Sequence, residues 1–589
     1  IIYVPDHYTT IQAAVNAASV GDTIIVRDGT YIENIDVNKR LTIRSENGSD
    51  VTLVQAQSSS DYVFDVRADY VNLSGFTVKG ATGYPGSGIY LGSGIDHCTI
   101  TDNNASNNFY GVSLASSSSN TVSSNIASNN YYGIWLDSSS SNTVSSNKVN
   151  WNNEYGIYVT SWSSTSDSNT ISSNNASNNR YGINLEYAGN SIISNNNASN
   201  NLEGVSLSGF NNTLSNNKVN WNSNVGISIS GSDHTISNNN ASNNRLGISF
   251  YFSSNNIITD NIANSNKEYG IGLSNSNNYN TIANNNASNN TDGIYLRPYN
   301  SYYPNNYNTI ANNTANSNKN NGITLFDSSS YNTIANNTAN SNNRAGIVIR
   351  SQNSNSRYNT VSNNTFNSNN WYGIQLQFSS NNVLSSNTVK SNGMYGINLY
   401  GSCSNNTIYN NYLDNTNNAQ DYGNNIWNIS KTLGTNIVGG PYLGGNYWSD
   451  YKGADTDEDG IGDTMLPYNN SGGIMTGGDW LPLFSSASAE AYIDLKPETL
   501  NLGSKGVFTA FITIQEPYNI ADINIETVVC AGAHALSGHV ADDGKYVAKF
   551  DREDITDVVP GLEVELILTG ELFDGTRFEG SDTIRVIGK

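Results

Sequence analysis

From residue 81 onward the apolar positions follow one beat. A glycine, then Ile or Val, then any residue, then an apolar residue recurs at Gly88, Gly111, Gly133, Gly156, Gly182, Gly204, Gly226, Gly247, Gly270, Gly293, Gly322, Gly346, Gly373 and Gly396. The spacing is mostly 21–24 residues and reaches 29 where loop residues such as "RPYNSYYPNNYN" (297–308) intervene. A period of this size predicts a solenoid. Each period holds three short pieces: an Asn-Thr-Ile-like piece (Asn142-Thr143-Val144), an Asn-x-Ala-Ser-like piece ("NNNASNN") and the Gly-Ile-x-Leu piece. All are too short for helices, and apolar residues alternate with polar ones, the period-two mark of a strand. The pattern predicts an all-β chain, a parallel β-helix with three short strands per coil of about 22 residues. Ile183 and Leu185 should point inward and stack on Ile157 and Val159, with Asn184 facing out. The paired Asn residues belong at the corners, where Asn tolerates left-handed backbone angles and can bond its equivalent one coil away. About 16 coils at ~4.8 Å each would make a rod on the order of 80 Å long.

The ends of the repeat read differently. Residues 8–19, "YTTIQAAVNAAS", predict a short amphipathic helix with Ile11, Ala14, Val15 and Ala18 on one face and Thr9 or Thr10 as cap. Laid over the first coil, it would cover an open strand edge. After "SSASAE" (485–490), alternating strands punctuated by turns such as "DDG" predict a β-sandwich of Ig-like type. The expected domains are therefore 1–80 (cap and first coils), 81–430 (regular coils), 431–484 (C-terminal cap) and 485–589 (sandwich).

Composition narrows the function. Charged residues are 13% of the 589, about half the usual share, and the formal charge is −22. That balance excludes a nucleic-acid partner, which needs a basic footprint. No run is long and apolar enough to span a membrane. The opening "IIYVPDHYTT", without a start Met, reads as a processed, exported chain. Cys98, Cys403 and Cys530 show no C-x-x-C spacing, and neither zinc nor a disulfide scaffold is expected of them.

The repeat, the opening "TIQAAVNAASVGDTIIVRDGTY" and the stretch "GGPYLGGNYWSDYKGADTDEDGIGDTMLPY" (439–468) resemble the NosD-like right-handed parallel β-helix proteins over roughly residues 1–484. The resemblance implies a right-handed solenoid. The architecture serves copper-site maturation proteins, polysaccharide lyases and hydrolases, adhesins and surface-layer proteins alike, so it leaves function open. Chains of this layout look most like secreted and cell-surface proteins of archaea.

Four sets of residues could carry chemistry. In "DTDEDGIGD", Asp455, Asp457 and Asp459 alternate, Gly460 allows a turn, Ile461 offers a carbonyl and Asp463 follows. This is nearly the spacing of a calcium loop, except that Leu466 stands where the bidentate Glu would be. A structural Ca2+ is expected there. On the outward face of the Gly-Ile-x-Leu strands, Tyr90, Trp135 and Tyr158 could contact sugars. Asp137 and Glu186 lie two coils apart, about 10 Å, near the carboxyl separation of inverting glycosidases. Copper would favour clustered His, Met and Cys, and "CAGAHALSGH" gathers only Cys530, His534 and His539. Glycan acceptor sequons include Asn104, Asn175, Asn197, Asn240, Asn286, Asn312, Asn336 and Asn363. The reading that weighs these best is an extracellular structural or adhesive protein that self-associates into a layer, sheath or filament. The rivals are a polysaccharide-binding or carbohydrate-active protein and a copper accessory protein.

Overall fold

The computed structural model describes residues 1–588 apart from 162–165, 299–301, 352–355, 485–487, 516–517, 557 and 574–575. The chain divides into two compact units, residues 1–457 with 461–483, and residues 458–460 with 484–589.

The first unit is the parallel β-helix that the apolar beat predicts. Thr-Ile-Ser pieces stack into a 19-stranded sheet, and the Gly-Ile-x-Leu pieces stack into a second sheet of 17 strands. Within these two sheets every strand pairs in parallel with its equivalent one coil away. Ile157 pairs with Ile183 and Val159 with Leu185, while Tyr158 pairs with the outward Asn184. The inward residues Ile183 and Leu185 are fully buried. The third piece departs from expectation. Between Ile126 and Thr365 it contributes a single bridge per coil, such as Asn175 to Asn197 and Asn197 to Lys218, and no strand. The cause is local: left-handed residues stand close on both sides, Asn195 (φ 57°) and Asn200 (φ 61°) in that coil, and leave too few extended residues between them.

The left-handed corners explain the Asn pairs. The first Asn of a pair, such as Asn195, takes the left-handed angle and points out. The second, Asn196, is buried and joins a ladder. In that ladder the backbone N–H and the Nδ2 of each Asn donate to Oδ1 of the Asn one coil on. Asn217 reaches Asn239 at 2.9 Å by both donors, and Asn239 reaches Asn261 at 2.9 and 3.0 Å. The chain of amides runs from Asn103 to Asn446. A second ladder runs from Asn108 to Asn418. A third runs from Asn120 to Asn425, with Ser191 and His234 each taking one Asn position. Buried amides are costly unless paired, and here each one is paired along the stack. His234 accepts from Asn212 N–H through Nδ1 at 3.1 Å, and burial holds its imidazole below the ordinary His range.

All three ladders point their donors the same way, so the last amide of each needs an acceptor. A carboxylate, which only accepts, supplies it. Asn425 Nδ2 donates to Asp421 at 2.8 Å, Asn418 Nδ2 to Asp450 at 2.7 Å, and Asn446 N–H to Asp479 at 2.7 Å. Asp421 and Asp479 each also accept an indole N–H, from Trp427 at 2.9 Å and Trp448 at 2.8 Å. The two indoles lie 5.4 Å apart and close the core. Gly445 is required here, because a Cβ would lie 1.8 Å from Asp479 Oδ1. Burial pushes the Asp479 carboxyl up to about 7 against the pull of its donors.

At the other end the expected helix, α1 (Ile11–Ala17), buries Ile11, Ala14 and Val15. Thr10 caps it, accepting from Ala13 N–H at 3.1 Å. Glu33 adds two bonds of 2.9 Å to the first N–H groups, and Lys39 Nζ donates to the carbonyls of Val15, Asn16 and Ala18 at the last turn. Both charges complement the helix dipole. No helix among the described residues is long and apolar enough to cross a membrane.

The second unit is all-β, as expected after residue 484, and its strands are joined through one shared strand. Strand Ser488–Lys496 pairs antiparallel with Val507–Ile514 through its second half and parallel with Arg577–Ile587 through its first. Because one long strand serves both neighbours, pairing runs around a closed ring of seven strands, with Thr499–Asn501 added outside it. Residues 485–487 of the expected "SSASAE" linker lie outside the described residues, and the strand has already begun by residue 488. Leu495, Phe508, Phe550, Cys530 and Leu568 fill this unit's own core.

Candidate functional site

The Asp-rich loop is the one cluster of three or more metal-ligating side chains among the described residues. Carboxylate oxygens of Asp455, Asp457 and Asp463 lie within 4.8 Å of one another. The loop closes on itself: Asp463 N–H donates to Ala454 O at 2.7 Å and Ala454 N–H to Thr464 Oγ1 at 2.7 Å. Glu458 (φ 59°) and Gly460 (φ 84°) turn the chain between the acidic positions. Asp463 accepts from both the N–H and the hydroxyl of Thr456, which holds its carboxyl below the usual range. Of the five expected ligands, Asp459 is outside this trio. Ile461 is buried and bridges antiparallel to Leu483, which anchors the loop. The three hard oxygens of this acidic loop fit calcium better than a soft metal.

The expected sugar face is a packed aromatic cluster. Tyr158 is 7% exposed, stacks on Tyr155 at 4.2 Å and donates its hydroxyl to Glu186. Trp135 lies 4.8 Å from Tyr110, and its buried Nε1 has no hydrogen-bond partner among the described residues. Tyr90 stacks on Tyr62 at 4.1 Å. Asp137 and Glu186 do occupy equivalent positions two coils apart, with Thr160 between them. Glu186 is engaged by Tyr158. Asp137 accepts from Ser138, and burial raises its carboxyl. The two carboxylates thus have different partners, and the rings beside them stack on each other.

The sequons fall into two classes. Asn312, Asn336 and Asn363 are exposed at left-handed corners of consecutive coils, each with φ 57°. Asn104, Asn175, Asn197, Asn240 and Asn286 are half-buried on the bridge-forming face. In three of these the sequon serine donates to the Asn Oδ1, Ser106 to Asn104, Ser177 to Asn175 and Ser288 to Asn286. Cys530 faces the C-terminal core, where burial pushes its thiol up to about 12, while His534 and His539 are exposed on the neighbouring strand. These three do not converge.

Two family descriptions match the coils. "Periplasmic copper-binding protein (NosD)" matches residues 160–292, 266–357 and 293–453, and "Right handed beta helix region" matches residues 18–198. The chain belongs to the NosD-like right-handed β-helix proteins. A cell surface glycoprotein of Methanothermus fervidus is 39% identical over 104 residues, which is 17% of this chain and 16% of that relative. Among solved structures, DFA-IIIase from Arthrobacter chlorophenolicus A6 in complex with GF2 aligns over 46% of this chain and 87% of its own, with 15% identity and a TM-score of 0.40. Pectate lyase Pel9A aligns over 48% of this chain and 74% of its own, with 20% identity and a TM-score of 0.30. Likenesses of this degree say nothing about activity.

The ladder-ending carboxylates Asp421 and Asp479 escape a motif reading, because each stands alone in sequence. The available signal was an Asp near a Trp just where the Asn beat stops, "AQDYGNNIW"; the indole on Asp479 comes from Trp448, far from it in sequence.

Proposed function

We propose that this NosD-like protein is an extracellular structural or adhesive component of a cell surface, a stiff β-solenoid that associates with copies of itself. The observation that carries this reading is the unbroken stack: one 19-stranded sheet whose coils are locked to one another by three continuous amide ladders. A solenoid bonded in this way resists bending and repeats its outer surface once per coil. Tyr279, Tyr307, Tyr331 and Tyr358 illustrate such a repeat, stacked 5.0–5.1 Å apart and about half exposed. The matched segment of the Methanothermus fervidus cell surface glycoprotein supports a surface location. Calcium held by Asp455, Asp457 and Asp463 would brace the cap, and glycans would fit the exposed corners at Asn312, Asn336 and Asn363.

Electron microscopy of the purified chain tests the reading. Ordered sheets or filaments at raised concentration, together with surface labelling of intact cells by an antibody, are expected. A chain that stays monomeric at every concentration and is absent from the cell surface would overturn it.

A further inference from the structure

The outward column of the Gly-Ile-x-Leu sheet carries Trp135 and Tyr158 in early coils and Asn184, Ser206, Ser228, Ser249 and Gly272 in the next five. Over residues 292–377 it carries Thr324 and Val348, paired in register and buried at 4% and 7%. Tyr295 flanks them one coil before and Gln375 one coil after. Two short side chains between longer ones leave a groove of about 320 Å³ across four successive coils, within the range of small-ligand sites. Three spacings of ~4.8 Å give it a length of about 14 Å.

Two arginines wall the groove. Arg344 lies over the Trp371 ring at 5.1 Å, and Arg350 lies over the Phe326 ring at 5.5 Å. Arg27, Arg67, Arg180 and Arg245 each pair with a carboxylate, Asp6, Asp65, Glu154 and Glu268 in turn. Arg344 and Arg350 form no ion pair among the described residues. The buried Nε of Arg350 has no hydrogen-bond partner there either. The acid of the groove, Asp292, is occupied by Asn321 N–H and Nδ2 at 3.2 Å and by Asn320 Nδ2 and Thr324 Oγ1 at 3.4 Å. Two guanidiniums are therefore held in place by aromatic faces, with their N–H edges uncommitted, on a chain whose net charge is −22.

We propose that this groove binds an acidic oligosaccharide, with Arg344 and Arg350 clasping uronate carboxylates and the Gln377 amide and the Oε1 of Gln375 meeting ring hydroxyls. The guanidinium fork matches a carboxylate bidentately. The surrounding amides and the Tyr295 and Trp371 rings suit a sugar, which is polar at its edges and apolar on its faces. The site lies within one chain, so it stands or falls independently of self-association.

Isothermal titration of the dispersed full-length chain tests this with a panel of uronate oligosaccharides (galacturonate, mannuronate and glucuronate types), their methyl esters and neutral malto-oligosaccharides. At least one uronate oligomer is expected to bind, with its methyl ester at least tenfold weaker. Arg344→Gln and Arg350→Gln should each weaken binding at least tenfold without shifting the melting temperature, Arg350→Lys should restore it only in part, and Arg245→Gln should leave it unchanged. Failure of every uronate to bind at millimolar concentration would overturn the proposal, as would equal binding of acid and ester or undiminished binding by the double Arg variant.

Discussion

The sharpest test of the ladder is a pair of neighbouring substitutions, Asn239→Ala and Asn238→Ala. Both remove the same side chain, one residue apart. Asn239 Oδ1 accepts from Asn217 N–H and Nδ2, and its Nδ2 donates to Leu214 O, Ser237 O and Asn261 Oδ1, all at 2.9–3.0 Å. These contacts belong to two polar groups, and their loss strands the buried Asn217 N–H. At about 1 kcal/mol net per satisfied bond and about 1–3 kcal/mol for an orphaned donor, Asn239→Ala should cost about 4 kcal/mol. Asn238 is exposed at φ 56°, and its side chain makes no hydrogen bond among the described residues. Asn238→Ala loses only Asn's tolerance of the left-handed angle, about 1 kcal/mol. Urea unfolding gives the two costs. Hydrogen exchange then locates them, since a solenoid is destabilised mainly in the affected coil and its neighbours. Equal costs for the two variants, or no loss of protection around Asn217, would refute the ladder as a source of stability.

Gly182→Ala should cost about 2 kcal/mol or more by overpacking, because its Cβ would lie 2.6 Å from both Gly204 O and Asn201 Nδ2; thermal melts should show a far smaller loss for Gly92→Ala, whose Cβ would meet nothing nearer than the Tyr90 ring at 3.6 Å. The proton on Asp479 is retained in the folded state up to about pH 7, so its contribution is full below the unfolded pKa near 4 and is lost as pH rises through 7. Asp479→Asn, always neutral, should lack that slope in urea titrations at several pH values, although its NH2 would face one of the N–H donors the carboxylate accepts, and a slope equal to that of wild type would sink the argument. His234 carries the opposite sign: its contribution is full above about pH 6.5 and falls as the pH drops below it, a slope that His234→Asn should flatten in the same titrations. Calcium at a hundredfold over its Kd should stabilise the chain by about 2.7 kcal/mol. Chelator should abolish that gain in scanning calorimetry, and Asp463→Asn should be insensitive to both; identical wild-type melts with calcium and with chelator would exclude a structural ion.

Much of this protein is written in the order of its residues. Period-two alternation inside a period of about 22 residues admits few folds other than a stacked β-coil. Ile183 and Leu185 point inward for that reason alone. The capping helix was equally legible, because its apolar spacing and Thr10 are local features. The C-terminal unit was legible as strands but not as a ring, since which edge pairs with which depends on contacts between the first and last strands of that unit. The acidic loop was legible as a motif, yet only folding shows that Asp455, Asp457 and Asp463 converge and that Ile461 serves as an anchor.

Sequence alone fixed the beat, because a strand's side-chain period and a corner's left-handed angle are properties of a few adjacent residues. It could not say which Asn of a pair turns inward, because that follows from the bond to the next coil. It gave no sign that the ladders need carboxylates to end on, because an acceptor is required only once the amides of every coil point the same way. The uncommitted edges of Arg344 and Arg350 are likewise a matter of tertiary structure: a free guanidinium is defined by what fails to surround it, and that is settled across four coils.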